Sequence, residues 1–240
     1  MISKELITDL IENKVQTSDF WDKRELLESP IEEYMFDELF KYKSHETELH
    51  AQQTIKTISG NFRPDIVLKN GNKLIAIECD GKDFHEDDFY DEWRDVLILS
   101  SSKIETIFRL RGRDINSKPK DLIYFMANKE PDFFNIDMVL RLKNSLIPPI
   151  QKCKPNYKSE TSEFFEFEDL NEAGKEYTNG LVINWRNIER NSSDIWIRQL
   201  LISYLHPGEK IKELKEHFSK YNSLTSDELE DLYYTKYPRK

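Results

Sequence analysis

The chain has 240 residues, with 35 Lys and Arg against 45 Asp and Glu, and this net charge of −10 argues against a protein that coats nucleic acid indiscriminately. Hydrophobic residues make up only 38% of the chain, but 14 Phe, 11 Tyr and 4 Trp favour a folded protein over a disordered one. The sequence has no apolar run of roughly 20 residues and no signal-peptide pattern, which argues against a membrane or secreted protein. Its two cysteines, Cys79 and Cys153, are too few for a disulfide framework or a four-ligand zinc site, so we expect a cytoplasmic protein.

Helical periodicity dominates the first part of the chain. Apolar residues recur at helical spacing over 1–28, which predicts an N-terminal helical segment. Ser29-Pro30 then has the pattern of an N-cap followed by proline in the first helical position, with Glu32 and Glu33 in the first turn. This pattern predicts a helix from about 30 to 42.

The next segment has the pattern of short strands joined by turns. Three β-type runs, 52–57, 62–68 and 73–80, are separated by turn sequences at 59–61 and 70–72, which predicts a three-stranded meander. Helical spacing returns over 87–99, and 105–111 has the pattern of a fourth strand. The predicted order is therefore helix, three strands, helix, strand.

The second half of the chain is less regular. Pro131-Asp132 introduces a predicted helix over 131–145, so that 1–146 form an α/β domain with a mixed sheet flanked by helices. The proline-bearing stretch 147–159 is typical of a linker. We expect 160–240 to form a smaller, mainly helical region of unknown role, with a turn at Asn179-Gly180. Its helices are predicted at 195–205, 211–218 and 227–233.

Carboxylates converge at the end of the third predicted strand. Alternation along 73–80 places Glu78 and Asp80 on one face, and a tight turn places Asp65 of the preceding strand beside Glu78. Such carboxylates repel one another unless a cation lies among them, and oxygen ligands favour Mg²⁺ or Mn²⁺ over zinc. The alternative is that Asp65 and Asp80 are turn residues and that Glu78 is a solvated strand residue.

These residues resemble a nuclease family. Phe62-Arg63-Pro64-Asp65, followed by Ile75-Ala76-Ile77-Glu78-Cys79-Asp80-Gly81, resembles the signature of the PD-(D/E)xK nuclease superfamily. Its continuation, Gly81-Lys82-Asp83-Phe84-His85 with Asp91-Glu92-Trp93-Arg94-Asp95, is similar to the very-short-patch-repair endonuclease branch. The resemblance covers about 29–115. It implies a restriction-endonuclease-like fold with an α-β-β-β-α-β core.

The resemblance also implies roles for individual residues. Asp65, Glu78 and the Cys79 carbonyl would hold the metal ion, with Glu32 as the acid of the first helix. Asp80 occupies the position at which the superfamily usually has Lys, so His85 is the expected proton acceptor and Lys82 the alternative source of positive charge. If neither side chain reaches the site, the domain binds nucleic acid without cutting it.

Three arginines provide candidate contacts to substrate phosphates. Arg109, Arg111 and Arg113 alternate along the fourth predicted strand and its exit, so we expect them to project from one face towards DNA. For Arg109 a salt-bridged strand edge is an equal alternative. The carboxylate-dense stretch 160–176, which contains three phenylalanines, leads to two hypotheses: that it docks near these arginines or on a basic protein partner, or that it is a solvated acidic segment.

Taken together, the sequence favours a Mg²⁺- or Mn²⁺-dependent endonuclease that hydrolyses phosphodiester bonds. The resemblance implies DNA rather than RNA as the substrate, and host defence or a mobile element as the setting. Two alternatives stay open. One is a non-catalytic nucleic-acid-binding or regulatory subunit on a decayed nuclease fold, and the other is a protein-interaction module whose partner binds the C-terminal region.

Overall fold

The computed structural model describes residues 23–81, 88–101, 103–151, 164–170, 176–187 and 194–238. Most of the predicted N-terminal helical segment, 1–28, lies outside these residues. Within the part of the chain that the structure describes, no helix combines the length and the apolar character needed to cross a membrane.

The strands form one large sheet and one small hairpin. Their bounds in chain order are β1 Thr47–Ala51, β2 Ile55–Thr57, β3 Gly60–Phe62, β4 Ile66–Asn70, β5 Lys73–Asp80, β6 Ile104–Arg111, β7 Phe164–Leu170 and β8 Glu176–Arg186. The large sheet has the order β1-β4-β5-β6-β8-β7, and β2 pairs with β3 separately. Strand β6 runs parallel to β5, whereas the other neighbours in the large sheet are antiparallel, so the sheet is mixed.

Helices cover both faces of this sheet. Their bounds are α1 Pro30–Tyr42, α2 Asp88–Ser101, α3 Gly112–Ser117, α4 Pro119–Lys129, α5 Ile136–Leu140, α6 Pro148–Gln151, α7 Asp194–Leu205, α8 Ile211–Lys220 and α9 Ser226–Lys236. Two short 3₁₀ turns, Pro131–Phe133 and Lys143–Ser145, flank α5. The structure therefore confirms an α/β protein with a mixed sheet flanked by helices.

Strand alternation divides the apolar side chains between two layers. On one face, Ile75 and Ile77 of β5 pack in a core with residues of α1 and α4. On the other face, Ala76 packs in a core with residues of α2 and with Trp196 of α7. A third cluster joins the outer side of α2 to α7, α8 and α9. Helix α2 thus lies between the sheet and the C-terminal helices.

Helix α1 confirms the predicted boundary. The Ser29 side chain accepts a hydrogen bond from the Glu32 N–H at 3.3 Å, and Pro30 occupies the first turn, where its missing N–H costs nothing. Met35, Phe36 and Leu39 are fully buried, so the apolar side of the helix faces the sheet. The cap fixes where the helix begins and thereby positions Glu32.

The predicted meander is wrong in its first strand. The first strand is β1, Thr47–Ala51, which pairs with β4, whereas Ile55–Thr57 belongs to the separate β2–β3 hairpin. That hairpin turns at 58–59, and Gly60, which begins β3, has a φ of 128° that disfavours a side chain. Strand β1 alternates buried with exposed or half-buried residues, but its polar sequence TELHA hid this pattern. The later strand β5, the helix α2 and the strand β6 confirm the predicted 73–80, 87–99 and 105–111 segments.

The helix predicted over 131–145 is also wrong. The long helix of this region is α4, and 131–145 contain only two 3₁₀ turns and the short α5. Leu122, Ile123, Phe125 and Met126 are all fully buried. A helix buried on so many sides lacks the amphipathic pattern by which a surface helix is found.

The region after 147 is less helical than expected. Strands β7 and β8 extend the large sheet beside β6, and β8 runs straight through the turn predicted at Asn179-Gly180. Part of the predicted linker is the short α6, while 152–163 lie outside the described residues. The three predicted C-terminal helices are confirmed as α7, α8 and α9. Helical structure therefore dominates only from Asp194 onward.

Strand β7 contains part of the acidic stretch. Its backbone pairs with β8 as the outermost strand of the sheet, two positions away from β6. The ring centroid of Phe165 lies 5.0 Å from that of Phe125 and 6.1 Å from that of Trp185. Residues 164–170 are therefore a strand of the sheet, and docking of the acidic stretch on the arginines or on a basic partner stays a prediction.

Candidate active site

A cleft of about 580 Å³ opens where β5 ends and α1 begins. Its lining includes the carboxylates Glu32, Asp65, Glu78 and Asp80, together with Arg94 of α2. Cys79 and Arg109 line it as well, so six of the residues predicted to form a site share one cavity. His85 and Lys82, the two candidates for proton transfer or positive charge, lie outside the described residues.

Asp65 and Glu78 are neighbours across two antiparallel strands. Ile66 pairs with Ile77, and continuing this register by one residue places Asp65 opposite Glu78, as the sequence predicted. The backbone N–H of Cys79 donates a hydrogen bond to Asp65 Oδ2 at 2.7 Å. Glu78 is only 3% exposed, on the same face of β5 as Ala76. Glu78 is thus buried within the sheet, and it is not the solvated strand residue that the alternative proposed.

Glu32 reaches this pair through a hydrogen-bond network. Its Oε1 accepts a hydrogen bond from the Ser29 hydroxyl at 2.6 Å, and its Oε2 accepts one from the Glu28 N–H at 2.9 Å. Gln52 Nε2 donates to the same Oε2 at 3.0 Å and lies 3.4 Å from Asp65 Oδ1. The side-chain amide of Gln52 therefore connects Glu32 of α1 to Asp65, which precedes β4.

Gln52 is a site residue that sequence reasoning missed. Its φ of 52° lies in the left-handed region, which a non-glycine residue adopts at a cost. Its backbone N–H donates to the Asp65 carbonyl at 2.9 Å. This conformation turns the chain out of β1 and brings the amide to the carboxylates. Neither residue type nor spacing marked this position in the sequence.

Arg94 supplies positive charge to the cleft. Its Nη2 lies 2.7 Å from Glu78 Oε1, and the same atom donates to the Arg63 carbonyl at 3.0 Å. Glu78 Oε1 nevertheless accepts no well-aligned hydrogen bond, so the contact is an ion pair with strained geometry. The Arg94 side chain keeps 16% of its surface exposed. It can therefore face both the buried carboxylate and a molecule in the cleft.

A buried ionic network underlies the floor of the cleft. Asp95 of α2 is fully buried and accepts two hydrogen bonds from Arg109, at 2.8 and 2.9 Å, and one from Arg186 at 2.6 Å. Arg109 also donates to Asp80 Oδ1 at 3.1 Å. Burial acts to raise the pKa of Asp95, but Arg109 and Arg186 outweigh it and hold that pKa below its usual value. The network ties α2, β6 and β8 to the end of β5.

The structure corrects the prediction that three arginines project from one face. Arg109 is only 6% exposed and is held by Asp95 and Asp80, so its geometry is that of an internal ion pair. Arg111 and Arg113 are more exposed, and both reach Asp114 of α3, at 2.7 and 3.4 Å. A contact of Arg111 or Arg113 with substrate stays a prediction.

Close packing at Gly112 joins the elements of the site. A Cβ atom at this residue would lie 3.1 Å from Ile31 Cδ1 and 3.3 Å from the carbonyl oxygen of Asp80. Glycine therefore lets the chain leave β6 directly against the start of α1 and the end of β5. This contact holds the helix that carries Glu32 near the strand that carries Glu78.

Comparison with known proteins gives no further guidance. Searches against family models, curated proteins and solved structures found no match for this chain.

The electrostatics of the cleft favour an added positive charge. Burial raises the pKa of Glu78 to about 8, against the partial opposition of Arg94, and the charge of Asp65 raises it further. Burial likewise raises the pKa of Asp65 to about 6, although the Cys79 N–H acts in the opposite direction. Both carboxyl groups are therefore held in surroundings that disfavour their anionic forms. A divalent cation would relieve this cost.

The donor set is suited to a hard cation. Two carboxylates and backbone carbonyls at one strand end are the oxygen ligands that Mg²⁺ and Mn²⁺ use. Burial raises the pKa of the Cys79 thiol, which argues against a thiolate ligand. In the described parts of the chain, Glu32, Asp65 and Glu78 do not form a group with three ligand atoms within 4.8 Å of one another. Direct binding of one ion by all three carboxylates would therefore require their side chains to move closer together.

Proposed function

We propose that this protein is a metal-dependent endonuclease that hydrolyses phosphodiester bonds of DNA, and that its core is restriction-endonuclease-like. The element order supports this proposal, because α1, β1, β4, β5, α2 and the parallel strand β6 follow the α-β-β-β-α-β order that the motif resemblance implies, with the β2–β3 hairpin inserted between β1 and β4. The resemblance also implies the choice of DNA and a setting in host defence or a mobile element.

The observation that carries the proposal is the buried Glu78 beside Asp65 in an open cleft. A carboxylate placed in a sheet is costly unless it is paired or liganded, and Glu78 has only a poorly aligned ion pair with Arg94. Such a cost is typical of a functional site, where groups with strongly shifted pKa values concentrate.

The proposed roles follow from position. Asp65, Glu78 and the Cys79 carbonyl would hold Mg²⁺ or Mn²⁺. The ion supplies charge neutralisation for the phosphate and lowers the pKa of a bound water. Glu32, oriented by Ser29 and Gln52, lines the same cleft and would bind the ion through water.

Asp80 occupies the position at which the superfamily usually has a lysine. We propose that Arg94 supplies the positive charge of that lysine. Asp80 is held by Arg109 and cannot donate positive charge, whereas Arg94 lines the cleft as a cation. An arginine suits this role because its planar guanidinium binds phosphate oxygens in pairs. The proton-transfer role of His85, with Lys82 as the alternative, stays a prediction.

A specific observation favours a second function, a nucleic-acid-binding protein without nuclease activity. Arg94 lies 2.7 Å from Glu78, which places a built-in cation where the metal ion would bind. If Arg94 keeps this position, it competes with the metal ion, and the domain binds DNA without cutting it. A protein partner for the C-terminal helices also stays a prediction, for which the exposed Ile195 and Ile197 of α7 give some support.

One experiment separates the two functions. The purified protein is incubated with supercoiled, linear and single-stranded DNA and with RNA, each with Mg²⁺, with Mn²⁺ or with EDTA. An endonuclease converts the supercoiled plasmid to nicked or linear forms with a divalent cation and not with EDTA. Retarded plasmid migration without any nicking would support the binding protein instead.

A further inference from the structure

The connection between α7 and α8 brings two histidines and a glutamate together, far along the chain from the proposed nuclease residues. His206 follows α7 directly, Glu209 lies in the connection, and His217 lies in α8. His206 Nδ1 is 3.5 Å from Glu209 Oε1, and His217 Nε2 is 2.9 Å from Glu209 Oε2. In the described residues, these three side chains form a group whose ligand atoms all lie within 4.8 Å of one another.

The donor types match a first-row transition metal. Imidazole nitrogens with a carboxylate oxygen suit Zn²⁺ and its neighbours, whereas Mg²⁺ prefers oxygen donors. At metal–ligand distances of roughly 2.0–2.2 Å, ligand atoms of a tetrahedral zinc site lie about 3.3 Å apart. The distances from the two rings to Glu209, each to a different carboxylate oxygen, lie on either side of this value, so the carboxylate already lies beside both ring nitrogens.

The surroundings orient the His206 ring for such a role. Its Nδ1 faces Glu209, while its Nε2 lies 3.2 Å from the Tyr221 hydroxyl. Metal-bound histidines usually have a hydrogen-bond partner on the second ring nitrogen, which fixes the tautomer and the ring orientation. Tyr221, just after α8, provides this partner.

The two imidazole rings are stacked face to face. Their centroids are 3.5 Å apart and their planes differ by 14°. Two protonated rings at this separation would repel each other. A neutral imidazole is the form that binds a metal ion.

We propose that His206, Glu209 and His217 bind one Zn²⁺ ion, with water in the fourth position, and that this ion fastens α7 to α8. Binding requires the rings to rotate out of their parallel stack so that both nitrogen lone pairs point to one atom. The fastened helices lie against the outer side of α2, where Trp93 donates a hydrogen bond to Ser203 at 2.8 Å. The ion therefore stabilises the packing of the C-terminal helices on α2.

The test is titration of the purified, metal-free chain with ZnCl₂ by calorimetry, with Co²⁺ absorption as a second readout of tetrahedral nitrogen and oxygen ligation. We expect one Zn²⁺ site that excess Mg²⁺ does not displace. His206→Gln and His217→Gln should each weaken it by more than the roughly 10–100-fold that loss of an outer partner costs. Glu209→Gln, at a half-buried residue of the connection between α7 and α8, gives a third variant that is expected to fold, and circular dichroism checks all three.

Matched controls make the result specific. His50 also lies beside a glutamate, Glu48, at 3.2 Å, so His50→Gln removes a histidine of the same kind from a different part of the chain and should leave the site intact. The Asp65→Asn/Glu78→Gln variant should bind Zn²⁺ as the wild type does, which separates this site from the proposed nuclease site. No zinc binding by the wild type, or the same affinity and stoichiometry in the His206→Gln/His217→Gln variant, would overturn the proposal.

Discussion

Asp65 lies opposite Glu78 across the β4–β5 pair, and its charge adds to the effect of burial in raising the pKa of Glu78 to about 8. Folding with both carboxyl groups ionised in these positions therefore costs free energy. Buried carboxylates that the fold disfavours in their anionic form are expected where a cation or a proton is to be bound.

The first prediction concerns the pH dependence of stability. The pKa of Glu78 rises from 4.5 to about 8 on folding, so between these values the native state binds a proton that the unfolded state releases. The free energy of unfolding therefore falls as pH rises through this window, by at most about 1.4 kcal/mol per pH unit for one group. Glu78→Gln cannot ionise, so its unfolding free energy should exceed that of the wild type increasingly between pH 5 and pH 8.

Urea denaturation at several pH values without divalent cations measures this difference. Glu105→Gln is the matched control, because it makes the same substitution at an exposed residue of β6 outside the cleft. It should follow the wild-type pH dependence. An unfolding free energy of Glu78→Gln that tracks the wild type across the whole range would show that Glu78 is not held in a disfavoured state.

The second prediction concerns the ionic network beneath the cleft. Asp95→Asn leaves Arg109 and Arg186 buried with one neutral partner in place of a carboxylate. Breaking a buried pair in this way typically costs about 3–5 kcal/mol. We expect a loss of this size in the free energy of unfolding, measured by denaturant titration. A loss below about 1 kcal/mol, the range of surface pairs, would contradict a structural role for the network.

The third prediction distinguishes the role of Arg113 from that of Arg109. Arg113→Ala should weaken DNA binding and reduce the slope of log affinity against log salt by about 1, since one phosphate contact is lost. Arg109→Ala should act mainly on stability, because Arg109 is buried in ion pairs. Fluorescence anisotropy at several salt concentrations measures the first effect. Arg141, an exposed arginine after α5, provides the control variant Arg141→Ala. A reduction of the salt slope by Arg141→Ala as large as that by Arg113→Ala would contradict the assignment of Arg113 as a specific phosphate contact.

The fourth prediction tests Gln52 as a positioning residue. Gln52→Ala removes the amide that connects Glu32 to Asp65, so we expect nuclease activity to fall by roughly 10–100-fold, the range for residues that orient metal ligands. The Mg²⁺ concentration for half-maximal activity should rise as well. Gln52→Glu keeps the size of the side chain but adds a negative charge, and it should be no better than Gln52→Ala. A fall in thermal stability with unchanged Mg²⁺ dependence would indicate a structural role only.

Local patterns predicted the pairing at the centre of the site. The alternation of β5 and its tight turn with β4 fix which residues share a face, so Asp65 and Glu78 could be placed side by side from the sequence. The N-cap Ser29 fixed the start of α1 and thus the position of Glu32 in the same way. Each of these inferences depends on neighbours within a few residues.

Contacts between distant segments could not be predicted in this way. Gln52 reaches the carboxylates through long-range packing, and no local pattern distinguishes it from an ordinary polar residue. Arg94 lies in the helix motif that carries the resemblance, but its contact with Glu78 also depends on long-range packing. The pairing of β8 with β6 likewise depends on tertiary structure, because a strand can add to either edge of a sheet. His206 and His217 meet only because the chain reverses between α7 and α8.

The most direct test of the central claim is plasmid cleavage by purified variants in Mg²⁺. Asp65→Asn and Glu78→Gln each remove a proposed anionic ligand, so both should reduce the rate of nicking by about 10²-fold or more while the circular dichroism spectrum stays that of the folded protein. Glu105→Gln should cleave at the wild-type rate. Cleavage by Asp65→Asn or Glu78→Gln at the wild-type rate, with the same dependence on Mg²⁺, would contradict the assignment of this cleft as the nuclease site.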